Sequence, residues 1–325
     1  MKAVYLQDRT SFINACDRLN AVYDRCTLCG HLCNVDRNQT VGVCGLSTTV
    51  KVALFKPFFY EEPPLSGSHG AGNVFFSGCN LHCVYCQNYT VSQAQIGAEI
   101  TVDELADIFL FLQNTKKVHN INLVTPTPFL PSIAEAVRKA SEQGLELPIV
   151  YNCNGYENPD IIALIASFCD IFLPDFKYAD EQLAIQYSGA EKYPALALDT
   201  IEKMYHAVGV GETDDQGILR RGIIIRHLVL PGHLDNTKEA LKQIRDRLGK
   251  YIPISLMAQF TPIFKACEFN EINRKLSQIE YDEITAFFLD LGFENGYFQS
   301  LESAVESYIP EFYGDRVQLF SQCRV

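Results

Sequence analysis

From Gly72 onward, short apolar runs alternate with stretches of helical period. Asn73–Ser77 reads as a buried strand. Thr101 with Glu104 three positions on forms a capping box opening a helix to about Asn114. Ile121–Val124 is a second strand, and Ser132–Gln143 a helix ending at Gly144. Pro148–Tyr151 is a third strand, with Pro159–Phe168 suited to a helix whose first turn carries a proline. Ile171–Leu173 is the fourth, followed by helical sequence to Val208, broken near Gly189 and Pro194. Gly222–Leu230 is read as one fifth strand, Asn236–Leu248 as a helix and Ile252–Met257 as a sixth strand. Glu280–Leu291 gives a last amphipathic helix, and Gly296–Gln299 a closing strand.

Strands and helices in this order imply βαβ units on a parallel sheet. Six such units predict an α/β fold, a partial (β/α)6 TIM-like barrel, with a doubly wound open sheet as the alternative. Residues 1–68 differ. They carry a cysteine group, little helical period beyond the opening segment, and the connector Glu61-Glu62-Pro63-Pro64. The expected division is therefore a Cys-rich metal-binding region over 1–68, a core over 69–300 and a C-terminal extension over 301–325. A segment with so little core of its own needs a staple or a docking surface.

Composition narrows the chemistry. The formal charge of the 325-residue chain is -12, with no run of Lys or Arg that could form a nucleic-acid footprint. The first residues lack the apolar core of a signal peptide, and no apolar stretch reaches the ~20 residues a bilayer span requires. A cytoplasmic protein without nucleic-acid or membrane partners is expected. In that compartment the twelve cysteines are better placed as metal ligands than as disulfides. Seven of them fall between Cys26 and Cys86. Of the scattered five, Cys16, Cys169, Cys267 and Cys323 read as small apolar residues, while Cys153 sits at a strand end with other polar groups.

The unusual residues share one edge. Cys79-x3-Cys83-x2-Cys86 follows the first strand and Thr125-Pro126-Thr127 the second. Asn152-Cys153-Asn154-Gly155 follows the third, Asp175-Phe176-Lys177 the fourth, His233 the fifth and Gln259 the sixth. The carboxyl ends of strands carry the ligand site in α/β barrels and open α/β sheets. Arg226 and His227 lie on opposite faces of the fifth strand, so one points inward, and a buried Arg needs an anionic partner. Three thiolates within eight residues can hold three irons of a cubane and leave the fourth open. A single zinc ion is the other reading of the ligand set. Cys26-x2-Cys29-x3-Cys33-x10-Cys44 offers a complete tetrahedral set, fit either for structural zinc or for a second iron–sulfur cluster.

The triplet, with Tyr85 just before its third cysteine, resembles the radical S-adenosylmethionine (SAM) superfamily. The stretch GCNLHCVYCQN is similar to the pyruvate formate-lyase activating enzymes and still more to their activating-enzyme-related proteins. That similarity extends to the N-terminal cysteines, NLVTPTP and NGYFQ, so it spans Cys26 to Gln299.

The resemblance implies a [4Fe-4S] cluster on Cys79, Cys83 and Cys86, with SAM on the free iron. Reductive cleavage of SAM would give a 5′-deoxyadenosyl radical that takes hydrogen from substrate. It also implies an electron donor such as flavodoxin or ferredoxin. Thr125 and Thr127 stand where the superfamily has a Gly-Gly-Glu contact to the SAM amino group, and the glutamate is missing. Asn152 and Asn154 match an Asp-Thr-Asn-Gly stretch, and Asp175 and Lys177 an Asp-Leu-Lys near the SAM carboxylate. Arg226, His233 and Gln259 are further candidates for cofactor or substrate contacts. These departures favour a radical enzyme acting on an unidentified small molecule or protein. An activator of a glycyl-radical enzyme and a non-enzymatic metal or electron-carrier protein are the alternatives.

Overall fold

The computed structural model describes residues 1–305 and 310–321. Eleven strands build the sheet system among them. In chain order these are β1 (Lys51–Phe58), β2 (Ala71–Phe76), β3 (Ala98–Glu99), β4 (Ile121–Val124), β5 (Ile149–Cys153) and β6 (Ile171–Pro174). They continue with β7 (Gly211–Thr213), β8 (Leu219–Ile223), β9 (Ile225–Leu228), β10 (Ile254–Met257) and β11 (Gly296–Phe298). The longer helices are α1 (Arg9–Ala21), α2 (Val102–Asn114), α3 (Leu130–Glu142), α4 (Glu181–Ser188), α5 (Tyr193–Val208), α6 (Leu234–Leu248) and α7 (Gln278–Asp290).

One sheet runs β3-β1-β2-β4-β5-β6-β8-β7 and a second β11-β10-β9. From β2 through β4, β5 and β6 to β8 every pair is parallel, as are β9–β10 and β10–β11. The two sheets join at the upper end of β6. There Asp175 pairs in parallel with Arg226, and Phe176 N donates to Arg226 O at 2.8 Å. The result is a partial parallel α/β barrel.

The single fifth strand expected over Gly222–Leu230 is two strands. β8 stays on β6, the chain breaks at Ile224, and β9 moves onto β10. Inside β8, Gly222 has φ +141° and the Cα of Gly211 only 2.5 Å from where a Cβ would stand, which lets β7 pair this closely. β1 is also new. Its sequence KVALFKPF lies inside the segment read as metal-stapled, yet it pairs antiparallel with β2. β3 covers only Lys51 and Val52 of β1, so Pro57 lies beyond that pairing and blocks no bond to β3.

α2 opens on the expected capping box. Thr101 Oγ1 accepts from Glu104 N at 3.2 Å, and Glu104 Oε2 from Thr101 N at 2.9 Å. α4 ends on Gly189 in the left-handed conformation, and α5 begins with Pro194 in its first turn. The apolar faces of α2, α3, α5 and α6 close on strand residues such as Ile121, Leu123, Phe172 and Ile254, all fully buried. No helix among the described residues is long and apolar enough to cross a membrane.

Candidate active site

At the carboxyl ends of the parallel strands a cavity of about 430 Å³ opens into the barrel. The loop after β2 forms one wall. It leaves the strand through Gly78, whose φ of +85° and the Leu46 side chain 2.4 Å from a notional Cβ exclude any other residue without displacement. The loop then presents Cys79, Cys83 and Cys86 to the cavity.

Each sulfur is met by a donor. Ser188 Oγ donates to Cys83 Sγ at 3.0 Å. Ser92 Oγ lies 3.1 Å from Cys86 Sγ, and Leu81 N and Asn154 Nδ2 both reach Cys79 Sγ at 3.4 Å. Burial pushes the Cys79 thiol up to about 12 and the Cys86 thiol up to about 11, with Cys83 adding to both. Three thiolates gathered in a partly enclosed cavity, with Cys83 itself buried, need a cation to hold their charge, and an iron cluster would supply one. The donor set fits that group: soft sulfur ligands, each with a hydrogen bond of the kind that tunes a cluster's potential. His82 is exposed and bonds Gln93 at 2.9 Å, so it stands apart from the thiols. Among the described residues no group of three or more His, Cys, Asp and Glu side chains is drawn together tightly enough for a single ion. The three cysteines line a shared space instead.

The rim collects most of the residues singled out above. Thr125, Asn152, Cys153, Asn154, Asp175, Lys177, Arg226 and Gln259 all line the cavity. Thr125 is left-handed at φ +59°, a strained conformation for a β-branched residue, costing on the order of 1–3 kcal/mol. Asn154 ties the loop after β5 to the cysteine loop, donating to Asn80 Oδ1 at 2.7 Å and accepting from Tyr156 N at 3.0 Å besides its contact to Cys79. Asp175 and Lys177 form an ion pair. Burial disfavours the Lys177 charge, but Asp175 and the sulfurs of Cys83 and Cys86 together raise its pKa. Gln259 Oε1 accepts from Gln299 at 2.8 Å, and its backbone carbonyl accepts from Gln87 at 2.7 Å.

Three candidates take no such place. Thr127 is buried outside the lining, its hydroxyl donating to Glu157 at 2.7 Å, so it braces the β4 loop from behind. His233 also lies outside it, 2.8 Å from the Tyr187 hydroxyl. His227 points away from Arg226, between Phe176 O and Thr237 Oγ1. Cys153 does face the cavity, but burial first and Glu157 second push its pKa well up, leaving a neutral thiol.

Arg226 faces inward, and its anions come from an unexpected quarter. Glu61 and Glu62, in the connector after β1, reach into the barrel. Glu62 grips Arg226 by two bonds, Nε–Oε1 at 2.9 Å and Nη2–Oε2 at 2.6 Å, while Glu61 also bonds Nη2. Asn73 and Asn122 donate to Glu61 Oε1 at 2.7 and 3.0 Å. The reading of the sequence missed these residues. A signal for them existed, since asparagine inside the apolar strands β2 and β4 is out of place without a buried polar partner.

The N-terminal cysteines are docked on the outside of the same loop. His31 Nε2 donates to Asn80 O at 2.7 Å, Cys29 pairs antiparallel with Glu157, and Gln95 Nε2 donates to Cys44 O at 3.3 Å. A Cβ at Gly42 would stand 3.3 Å from Cys44 Sγ and 3.6 Å from Cys33 Sγ. Arg37, 1% exposed, threads this loop and donates to Leu46 O at 3.2 Å and Pro128 O at 2.6 Å.

The chain is thus an α/β protein whose partial parallel barrel carries three cavity-lining thiols on the loop after its first parallel strand. The radical SAM superfamily model matches residues 73–244, more than half of the chain, and the protein belongs to that superfamily. It is 30% identical over 275 residues to an uncharacterized protein of Methanocaldococcus jannaschii, covering 81% of this chain and 73% of that one. Among solved structures it is similar to Streptococcus suis SuiB bound to its precursor peptide SuiA (TM-score 0.49, 11% identity, 70% of this chain). The chain spans about half of SuiB, 48% of its length. It is also similar to a domain of pyruvate-formate lyase-activating enzyme from Bacteroides vulgatus (TM-score 0.35, 12% identity, 50% of this chain and 87% of that one).

Proposed function

We propose that the protein is a radical enzyme that cleaves SAM reductively on a [4Fe-4S] cluster held by Cys79, Cys83 and Cys86, and that its substrate enters the barrel cavity. The observation that carries this reading is the convergence of three hydrogen-bonded thiols, Cys83 buried and Cys79 and Cys86 partly buried, and the polar strand ends on one cavity. When bound and reduced by an external donor such as flavodoxin or ferredoxin, the cluster supplies the electron that breaks the C5′–S bond of SAM and so the radical that takes hydrogen from substrate.

The chain's own residues position and shield. Ser188, Ser92 and Asn154 orient the sulfurs. Lys177, fixed by Asp175, offers its ammonium to a carboxylate, and Asn152 and Thr125 stand beside it on the lining for the other polar end of SAM. Phe75, Tyr85, Leu228 and Met257 add apolar surface to the lining, which helps shield a radical from water and stray hydrogen donors. The spacing of Cys26, Cys29, Cys33 and Cys44 supplies four thiolates for a second metal centre, zinc or iron–sulfur, whose binding would draw together side chains that are not gathered around a single ion as they stand. Burial pushes the Cys26 thiol up, and the charge of Arg37 beside it offsets part of that rise.

A substrate other than a glycine backbone is favoured by the charged cavity floor, for which a glycyl Cα–H has no use. Anaerobically reconstituted, reduced protein should give a [4Fe-4S] electron paramagnetic resonance signal that shifts when SAM is added. A signal indifferent to SAM would refute SAM binding at this cluster.

A further inference from the structure

The buried charges around Arg226 go beyond what an ion pair needs. Glu62 alone balances the guanidinium charge with a two-bond fork. Glu61 is a second carboxylate on the same cation, so the group carries two negative charges against one positive, a formal net of -1. Its side chains are nearly enclosed: Glu61 is 7% exposed, Glu62 5% and Arg226 13%. Surplus buried charge is costly, and a buried ionic group is commonly less stable than an apolar replacement of like size. The fold nonetheless braces it with Asn73, Asn122 and Ser255.

Position gives this investment a purpose. Asn73, Asn122 and Ser255 come from the first halves of their strands. The connector that carries Glu61 and Glu62 runs on to Leu65, whose carbonyl accepts from Asn120 Nδ2 at 2.9 Å just before β4, so the two carboxylates enter from the floor of the barrel. Glu61 receives two amide donors on Oε1 and Arg226 on Oε2. A carboxylate has about four lone-pair sites, which leaves one to spare. Phe58, Phe75 and Tyr297 line the same cavity, and aromatic faces attract a cation.

We infer that Glu61 is a specificity anchor for a substrate bearing a protonated nitrogen, ammonium or guanidinium, on an apolar stem. The stem lies along the aromatic wall and the cation bonds the spare site on Glu61, which holds the far end of the molecule toward the cysteine loop. The inference rests on the reading that the cavity receives the substrate, and it places Arg226 with the substrate rather than with SAM.

Hexylammonium, hexanol and hexanoate share one stem and differ in charge, so they serve as probes. Their affinities are measured by calorimetry on the full chain, reconstituted anaerobically and saturated with unreduced SAM. Hexylammonium should bind at least about tenfold tighter than either of the others. Glu61→Gln should remove that preference. The double variant Glu62→Met/Arg226→Met removes the forked pair and leaves Glu61, on its amide donors Asn73 and Asn122, as the one charge of the group, and should keep the preference. Equal binding or no binding of the three probes by the wild-type protein overturns the inference, as does a preference that survives Glu61→Gln. Formation of 5′-deoxyadenosine by the same preparations is followed separately. Charge selection without SAM cleavage would sink the enzymatic reading alone, and cleavage without charge selection would sink the anchor alone.

Discussion

At the scale of single residues, burial decides most of the chemistry. Asp170, 1% exposed, accepts from Val4 N at 2.8 Å and Ile149 N at 3.2 Å, yet burial pushes its carboxyl up to about 7 from 3.8. The folded state therefore keeps a proton that the unfolded chain releases, and stability falls as pH rises through that window. His227 has the opposite sign. Burial pushes it down to about 4 from 6.5, so the unfolded chain takes up a proton that the folded state refuses, and stability rises with pH between those values. Each contributes a slope of about 1.4 kcal/mol per pH unit at most, and over the shared range they oppose. Relative to wild type, Asp170→Asn should gain stability with rising pH between roughly 4.5 and 6.5, and His227→Gln should lose it. Denaturant unfolding across that range is the check, and slopes parallel to wild type in both variants would refute the assignment.

Among elements, the decisive contact is one loop against another. Gly78 delivers the cysteine loop from β2 directly under Leu46 of the N-terminal region. Gly78→Ala meets both a left-handed backbone and that side chain, and should cost about 2 kcal/mol or more. It should also lower the iron retained after reconstitution. Adding Leu46→Ala should recover the steric part and leave the backbone part. A Gly78→Ala protein with wild-type unfolding and iron content would contradict the loop geometry.

Over the whole molecule, the repeating part was legible and the exceptions were not. Parallel strands reveal themselves as apolar runs between amphipathic helices, so β2, β4, β5, β6 and β10 and the helices between them could be read directly. β1 was hidden because its lysines and Pro57 break the apolar run, and its antiparallel pairing needs no helix to announce it. The division of the fifth strand depends on which neighbour each half pairs with, a long-range property that GIIIRHLVL does not encode locally. At the site, the cysteines were legible because their spacing is itself the chemistry. Glu61 and Glu62 were not, because only the turn Pro63–Ser66 brings the connector back over the barrel. Thr127 shows the converse: the right strand end, but a hydroxyl turned to Glu157.

The central claim is that the three thiols around the cavity hold a cluster that breaks SAM. Its most direct test is 5′-deoxyadenosine, quantified by mass spectrometry after anaerobic reconstitution and reduction with dithionite in the presence of SAM. The wild-type protein should form it, and Cys79→Ala, Cys83→Ala and Cys86→Ala should each reduce it to background. Equal yields from wild type and from the Cys83→Ala protein, or no product from iron-replete wild type, would contradict the account.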